Sequence, residues 1–241
     1  MHGVAKSMPS ANSQGFPLNL DLAILHAISS FGGVSSVLDL VVGVFRDNYL
    51  VKLVPFMAMF WALWFKIPDR NKNREKLILL LFGVVIAVVA NRIFSEIMPS
   101  RARPFTVADI GIRPPHWAVP TADDKHFSSF PSDHAALLFA LLGGFWFVSR
   151  TASLLLSILA ACVLLARIYF GLHFPSDIVV GSLIGIGAAV LANRISFLRR
   201  LAAFAYNAEQ RAPAYFYGAM FVCTYEIGNL FEQVRALAKL H

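Results

Sequence analysis

The stretch that decides the fold is Ala166-Arg167-Ile168-Tyr169-Phe170-Gly171-Leu172-His173-Phe174-Pro175-Ser176-Asp177. An arginine ends one long apolar run and an aspartate opens the next, so this stretch joins two hydrophobic helices. Pro175-Ser176 can begin the second helix, and its aspartate could then fold back toward His173. A carboxylate on one imidazole nitrogen fixes the tautomer and leaves the other nitrogen free to attack. The plainer alternative is that Arg167, His173 and Asp177 only cap two helices at an interface.

Composition indicates the class of protein. Of 241 residues, 57% are hydrophobic and 15% are charged, and the mean hydropathy is +0.63. The apolar residues come in long blocks, which is typical of a polytopic membrane protein and not of an ordinary soluble domain. The net charge of +7 needs no nucleic-acid partner, because the lysines and arginines cluster in short gaps between apolar runs. Cys162 and Cys223 lie inside apolar stretches, so we expect no disulfide framework.

Hydrophobic runs predict an all-α membrane bundle of about six helices. Clear spans are predicted at 49–65, 77–94, 131–148, 152–170 and 178–198. The segment 18–45 is broken by polar residues and glycines, so it is either an amphipathic surface helix or a poorly hydrophobic first span. The segment 215–240 is either an interfacial helix or a last span, and Glu226 favours the first because a carboxylate in hydrocarbon is costly.

These runs also predict the domain organisation and the orientation of the chain. A polar tail at 1–17 precedes one integral-membrane domain at 18–241, whose core is 49–200. Positive charge concentrates at 66–76, at Arg150 and in the polar segment 194–211, so these parts are expected to be cytoplasmic. The long polar connection 96–130 then lies on the opposite, extracytoplasmic face.

Three polar clusters fall on that same face. Each follows or precedes a predicted span, so packed helices would bring them into one cleft. Their members are Arg101 and Arg103; Ser132 and His134; and Arg167, His173 and Asp177. Several guanidinium groups suit an anion with several oxygens, most naturally a phosphate. Ser132 and the first N–H groups of the helix after Pro131 would add neutral donors at a positive helix end.

The three clusters resemble the signature of the type 2 phosphatidic acid phosphatase superfamily. That signature reads Lys-x6-Arg-Pro, then Pro-Ser-Gly-His, then Ser-Arg-x5-His-x3-Asp. The sequence matches it with Arg103-Pro104, Pro131-Ser132-x-His134 and Arg167-x5-His173-x3-Asp177, and the resemblance covers about residues 35 to 200. Three positions depart from the signature, because Glu96 replaces the lysine, Asp133 the glycine and Ala166 the serine. The missing lysine, Pro-Ser-Asp-His and the compact length are similar to the bacitracin-resistance branch, whose members are undecaprenyl-diphosphate phosphatases.

The resemblance implies a role for each residue of the site. His173 would be the nucleophile and form a phosphohistidine, which Asp177 would orient and polarise. His134 would protonate the leaving group and then activate water. The phosphoryl oxygens would be bound by Arg103, Arg167 and Ser132. Arg101 could stand in for the missing cation, whereas Glu96 and Asp133 have no clear contact with substrate, and Asp133 could simply complement the helix N-terminus.

The leading hypothesis is an integral-membrane lipid phosphatase that hydrolyses undecaprenyl diphosphate to the monophosphate. It would use no cofactor and no metal, bind a lipid phosphate or diphosphate within the bilayer, and act at the extracytoplasmic face of the bacterial inner membrane. One alternative is a phosphatase of phosphatidate, phosphatidylglycerophosphate or lipid A, or a phosphotransferase between lipids. Another is an anion transporter, although a transporter is expected to carry polar groups near the membrane midplane, and these charges lie at predicted helix ends.

Overall fold

The computed structural model describes residues 18–66, 70–112 and 128–229. The predicted tail at 1–17 and most of the second half of the 96–130 connection lie outside these ranges. Within them the chain folds into α-helices and two short 3₁₀ helices, Pro104–Thr106 and Ala108–Ile110. The α-helices are α1 Leu18–Ser29, α2 Ser36–Asp47, α3 Tyr49–Lys52, α4 Val54–Lys66, α5 Arg70–Ile97, α6 Asp133–Val148, α7 Arg150–Tyr169, α8 Pro175–Arg194, α9 Ser196–Arg211 and α10 Pro213–Gly228. The predicted all-α class is confirmed.

The described helices include spans of the length that a bilayer requires. Three are long and apolar enough to cross a membrane: Asn73–Ile97 within α5, Arg150–Tyr169 and Pro175–Arg194. Two shorter apolar helices, Val54–Lys66 and Asp133–Val148, lie beside them in the order that the sequence predicts. The chain is an integral membrane protein.

Small residues let α8 lie directly against α6. A Cβ added to Gly181 would lie 2.5 Å from the carbonyl oxygen of Ser132, and one added to Gly185 would lie 2.3 Å from that of Ala136. Both contacts are with backbone, which cannot rotate away, so only glycine permits this distance between the helices. α5 completes the core by packing against both helices. The start of α6 and the start of α8 therefore come together at one end of the bundle.

The N-terminal helices dock on that same end. α1 packs against α7 and α8, and α2 packs against α7. The buried carboxylate of Asp39 in α2 accepts a hydrogen bond of 2.5 Å from the hydroxyl of Tyr169 at the end of α7, and one of 3.1 Å from the backbone N–H of Gly33. α1 and α2 have 12 residues each, or about 18 Å of helix, so neither alone crosses the hydrocarbon of a bilayer. The structure thus excludes the alternative of a single first span at 18–45.

Two other predicted segments are also different in the structure. The loop expected at 66–76 is much shorter, since Lys66 still belongs to α4 and α5 already begins at Arg70. The polar segment expected within 194–211 is the amphipathic helix α9. The sequence signal was misleading in both places because charged residues on the outer turns of a helix look like a loop when only hydropathy is considered.

Candidate active site

The imidazole of His173 lies in the turn between α7 and α8, and its ring is held by a backbone carbonyl. Its Nδ1 lies 2.7 Å from the carbonyl oxygen of Ser129, and the side chain is 5% exposed. A carbonyl can only accept, so Nδ1 carries a proton, and in the neutral imidazole Nε2 then has the lone pair. The predicted partner, Asp177, lies farther away, with Oδ2 3.8 Å from Nδ1. The hydrogen bond that fixes the tautomer therefore comes from Ser129 and not from Asp177.

The carboxylate of Asp177 is fully buried and has other partners. Its Oδ1 accepts from Arg101 Nη1 at 2.7 Å, and its Oδ2 accepts from the backbone N–H of Phe174 at 2.8 Å. The second bond closes the first turn of α8 onto the residue before it, which is the usual arrangement of an acidic side chain at a helix N-terminus. The backbone carbonyl of Asp177 also accepts from the N–H of Ser132 at 3.1 Å, which joins the start of α8 to the start of α6.

Arg101 is a buried structural cation in this arrangement. Besides Asp177, its guanidinium donates to Asp21 Oδ2 at 3.0 Å and to Ser176 Oγ at 2.8 Å, and it stacks 3.7 Å from the ring centre of Phe174. Two carboxylates thus share one guanidinium that is 7% exposed. Three of its five N–H donors thus serve the protein, which favours a positioning role, and contact of Arg101 with substrate stays a prediction.

Arg101 also reaches His173 through the backbone. The N–H of Ser129 donates to the carbonyl of Arg101 at 2.9 Å, and the carbonyl of the same Ser129 holds the imidazole. The two segments of the long connection are therefore tied together on both sides of the undescribed residues. Arg101 positions the nucleophile candidate in two ways, by neutralising Asp177 and by anchoring Ser129.

The second histidine forms a pair with the arginine that ends α7. Arg167 Nη2 and His134 Nε2 are in direct hydrogen-bond contact. A guanidinium only donates, so His134 Nε2 accepts in this contact. Arg167 is 8% exposed, and the same Nη2 lies 3.5 Å from the carbonyl oxygen of Arg46 at the end of α2. That carbonyl also accepts from Lys52 Nζ at 3.0 Å.

The other predicted residues take three different positions. Ser132 is fully buried and caps α6, since its Oγ accepts from the N–H of Ala135 at 3.4 Å. Asp133 begins α6 and accepts from Asn91 Nδ2 of α5 at 2.7 Å, which favours a structural role. Glu96 lies in the last turn of α5 and is exposed. Of the two arrangements that its negative charge allows, contact with Arg101 or orientation into solvent, the structure has the second.

Arg103 is brought to the turn that contains His173. It lies directly before the 3₁₀ helix Pro104–Thr106, and the N–H of Phe105 donates to the carbonyl of Gly171 at 3.0 Å. Gly171 has a φ of 65°, and a Cβ there would lie 3.3 Å from the backbone nitrogen of Phe105. A glycine is therefore needed both for the turn and for the approach of the segment that carries Arg103. All three predicted clusters meet at one end of the bundle.

Several groups of the site could not have been recognised in the sequence. The carbonyl of Ser129 belongs to the backbone and leaves no trace in residue type. Asp21 lies in the segment 18–45, which polar residues and glycines break, and Lys52 and Arg46 lie outside the three predicted clusters. Among the described residues, no group of three or more His, Cys, Asp or Glu side chains could hold a metal ion.

Comparisons with known proteins bear on the family of the chain. A family model described as the PAP2 superfamily matches residues 76–201, just over half of the chain. The chain is 26% identical over 199 residues to the bacitracin transport permease protein BcrC of Bacillus licheniformis, covering 80% of this chain and 90% of that protein. It is 29% identical over 170 residues to a protein of Escherichia coli named "Putative undecaprenyl-diphosphatase YbjG", covering 69% of this chain and 78% of that protein.

Two further comparisons are weaker, one in the share of the chain that it covers and the other in identity. The lipid A 1-diphosphate synthase of Escherichia coli is 28% identical over 138 residues, which is 56% of this chain and 56% of that protein. The crystal structure of LpxE from Aquifex aeolicus has a TM-score of 0.51 at 22% identity, covering 76% of this chain and 99% of that chain. At this identity the structural likeness supports the helical fold alone.

Proposed function

The chain belongs to the PAP2 superfamily of lipid phosphatases, and from this premise we propose that it hydrolyses undecaprenyl diphosphate to the monophosphate through a phosphohistidine on His173. The observation that carries this proposal is the hydrogen bond of 2.7 Å between His173 Nδ1 and the carbonyl of Ser129, because it presents Nε2 with its lone pair. The names of two relatives, one for undecaprenyl-diphosphatase and one for bacitracin, support the choice of substrate.

In the proposed first step, His173 Nε2 attacks the terminal phosphorus and forms a P–N bond. The bridging P–O bond breaks, and its electron pair stays on the oxygen of the departing lipid monophosphate. When substrate binds, Arg167 would turn from His134 to the oxygens of the transferred phosphoryl group. His134 Nε2, then protonated from solvent, would give its proton to the departing oxygen. In the second step His134 would take a proton from water as the water oxygen attacks phosphorus. The P–N bond then breaks, its electron pair returns to His173 Nε2, and inorganic phosphate leaves.

Asp177 has a positioning role in this proposal. Its carboxylate accepts from Arg101 and from the N–H of Phe174, so it fixes the first turn of α8 and the turn that carries His173. Its negative charge 3.8 Å from Nδ1 would also stabilise the ring when it becomes positive in the phosphorylated state.

The site is proposed to face the extracytoplasmic side of the inner membrane. The support is the distribution of charge, since Arg150 begins α7 and Arg194 ends α8, both at the helix ends away from the site, and α9 continues with Arg199 and Arg200. Cysteine labelling in intact cells tests this orientation. A cysteine at Ser100 should react with an impermeant reagent, and one at Asn73 should react only after lysis. The opposite pattern would move the chemistry to the cytoplasmic leaflet.

The direct test is phosphate release by the full-length protein purified in detergent. We expect turnover of undecaprenyl diphosphate that exceeds that of phosphatidate and phosphatidylglycerophosphate and that survives EDTA. A label from substrate with a radioactive terminal phosphate should be trapped on the wild-type protein and not on His173→Ala. Loss of activity on chelation, restored by one divalent ion, would contradict the mechanism, and better turnover of phosphatidate would contradict the substrate.

A second candidate is transfer of the phosphoryl group to another lipid. It is favoured by one observation, the 28% identity with a relative named for synthesis of lipid A 1-diphosphate. Both candidates share the first step and differ only in whether water or a lipid phosphate attacks the phosphohistidine. Adding lipid A to the same assay separates them, because transfer would move the label to lipid A at the expense of free phosphate.

A further inference from the structure

Lys52 ends the short helix α3 and is buried beside the candidate site. Its side chain is 3% exposed, and its Nζ donates to the carbonyl of Arg46 at 3.0 Å and lies 4.1 Å from the ring centre of Tyr49. Taking an ammonium group out of water has a large free-energy cost. The burial of Lys52 therefore indicates a specific role for its ammonium group in the fold or in the site.

The carbonyl of Arg46 joins Lys52 to the predicted phosphate-binding arginine. It lies 3.0 Å from Lys52 Nζ and 3.5 Å from Arg167 Nη2, so the two nitrogens can be no farther apart than these two distances combined. Arg167 Nη2 is in turn in contact with His134. The ammonium group of Lys52 is thus a near neighbour of the group that would bind the transferred phosphoryl.

Two buried cations at this distance repel each other and create a positive potential that favours an anion between or beside them. Arg46 itself contributes less to that potential. Its guanidinium lies 4.6 Å from the ring centre of Phe170 and pairs at 2.7 Å with Asp47, whose side chain is 58% exposed. The shared carbonyl therefore makes Lys52 the second buried cation next to Arg167.

We propose that Lys52 binds the second phosphoryl group of a diphosphate substrate, the one that stays on the lipid, while Arg167 holds the phosphoryl group that is transferred. This rests on the proposed function and sharpens it, because it gives the preference for diphosphates a residue. When the bridging P–O bond breaks, negative charge grows on the departing monophosphate, and a fixed ammonium group beside it stabilises that charge. A lipid with a single phosphate has no group to fill this position.

A purely structural role for Lys52 gives different expectations. Its Nζ bonds a carbonyl in the last turn of α2, where a lysine can cap a helix C-terminus. A cap would support the fold and affect every ligand of the site equally. It would also tolerate glutamine, whose amide can donate to the same carbonyl without a charge. A phosphoryl-binding ammonium would lose its effect in Lys52→Gln and keep it in Lys52→Arg.

The experiment is calorimetric titration of the full-length protein in detergent with pyrophosphate and with orthophosphate. The variants are Lys52→Met, Lys52→Gln and Lys52→Arg, with Lys66→Met as the matched control, since Lys66 is an exposed lysine at the end of α4. We expect Lys52→Met and Lys52→Gln to weaken pyrophosphate by about 10- to 100-fold, the range for a charge-assisted hydrogen bond. Orthophosphate should change by less than about 3-fold, and Lys52→Arg and Lys66→Met should resemble wild type for both anions.

Turnover of a short-chain polyprenyl diphosphate by the same proteins separates this inference from the proposed function. Equal weakening of both anions, or recovery of the pyrophosphate affinity in Lys52→Gln, would overturn the inference and leave Lys52 as a helix cap. If wild type releases phosphate and no Lys52 variant loses pyrophosphate affinity, the inference fails and the function stands. If wild type releases no phosphate but the binding pattern holds, the function fails and the anion subsite stands.

Discussion

Each end of the bundle buries an arginine against a carboxylate, but the two ends use it differently. At the end where α5 begins, which we call the Arg74 end, Arg74 pairs with Glu209 of α9 and donates to the carbonyl of Trp64 at 3.2 Å. The hydroxyl of Tyr217 in α10 completes this cluster with a bond of 2.5 Å to Glu209. One positive charge meets one negative charge, and the result is a joint between α4, α5, α9 and α10.

At the opposite end, which we call the histidine end, the charges exceed what a joint requires. Arg101 alone would tie α1 to α8 through Asp21 and Asp177. Beyond it lie Arg167 in contact with His134, and the neighbouring Lys52. Buried charges and histidines that the fold does not need have a free-energy cost, so they indicate chemistry. A buried arginine alone is therefore weak evidence for an active site. The residues around it show whether it joins helices or takes part in chemistry.

The largest effect is expected from His173→Ala at the histidine end. The imidazole forms the covalent bond in the proposed mechanism, so kcat should fall by at least about 10³-fold. The melting temperature in detergent should stay near that of wild type, because the ring makes one hydrogen bond to the fold. Phosphate release and thermal unfolding are measured on the same preparation.

His26→Ala is the matched control, because His26 is an exposed histidine of α1. It should leave both quantities unchanged. Retention of more than a few per cent of activity in His173→Ala would show that the nucleophile is another group. The histidine end would then be a joint like the Arg74 end.

The second prediction compares the two arginines directly. Arg74→Met leaves one buried carboxylate without its cation, which should lower the free energy of unfolding by about 3–5 kcal/mol. Arg101→Met leaves two, Asp21 and Asp177, and should lower it by at least as much. Only Arg101→Met should also lower the kcat of the protein that remains folded, by about 10-fold or more, because Arg101 positions Asp177 and Ser129. Activity per folded molecule, counted by size-exclusion chromatography at low temperature, is the measurement.

If kcat fell as much in Arg74→Met as in Arg101→Met, the two ends of the bundle would not differ in their effect on catalysis, and the comparison would be wrong. A lysine at position 101 separates the effect of the positive charge from the effect of the directed hydrogen bonds of the guanidinium. Arg101→Lys keeps the charge near Asp177 but not the several directed bonds of the guanidinium, so an intermediate kcat is expected.

A smaller effect is expected from the glycines that bring α6 and α8 together. Gly181→Ala would place a Cβ 2.5 Å from the carbonyl oxygen of Ser132, which is too close for two backbone-fixed atoms, so the two helix starts must move apart. We expect a loss of about 1–3 kcal/mol in stability and about 10-fold in kcat/KM. Gly187→Ala on the same helix meets nothing within 4 Å and is the control. Equal behaviour of the two variants would mean that the distance between α6 and α8 does not control the site.

The sequence predicted the residues of the histidine end better than their partners. Helix boundaries and motif spacing place side chains at one membrane boundary, because an apolar run has a fixed length, and so the meeting of the three clusters was predictable. The partner of His173 was not, because Ser129 acts through its carbonyl and Asp177 is taken up by Arg101. The role of Arg101 depends on Asp21, which lies 80 residues earlier in the chain. Such a distant pairing has no periodicity to reveal it.

The Arg74 end shows the same limit in a simpler form. Arg74 looked like one of several cytoplasmic loop charges, and Glu209 like part of a polar segment. Arg74 and Glu209 neutralise each other, so both side chains can be buried. Both segments are therefore packed helices and not solvated loops. Charge alternation in the sequence could not distinguish this from a solvated loop.

The smallest effect is expected at Glu96, the position where the family signature has lysine. A unit charge about 6 Å from a phosphate would be worth roughly 2–3 kcal/mol at an effective dielectric of about 20. Glu96 is exposed, however, and Arg101 is occupied by Asp21 and Asp177, so solvent and salt should screen the carboxylate from the substrate. Glu96→Gln should change kcat/KM for a polyprenyl diphosphate by less than about 3-fold. The change should become smaller still when the salt concentration is raised from about 0.05 M to about 0.5 M, because salt screens charges that are exposed to solvent. A larger change that survives high salt and exceeds the change for phosphatidate would mean that Glu96 turns into the site when substrate is bound, and the histidine end would then hold one more charge than its contacts indicate.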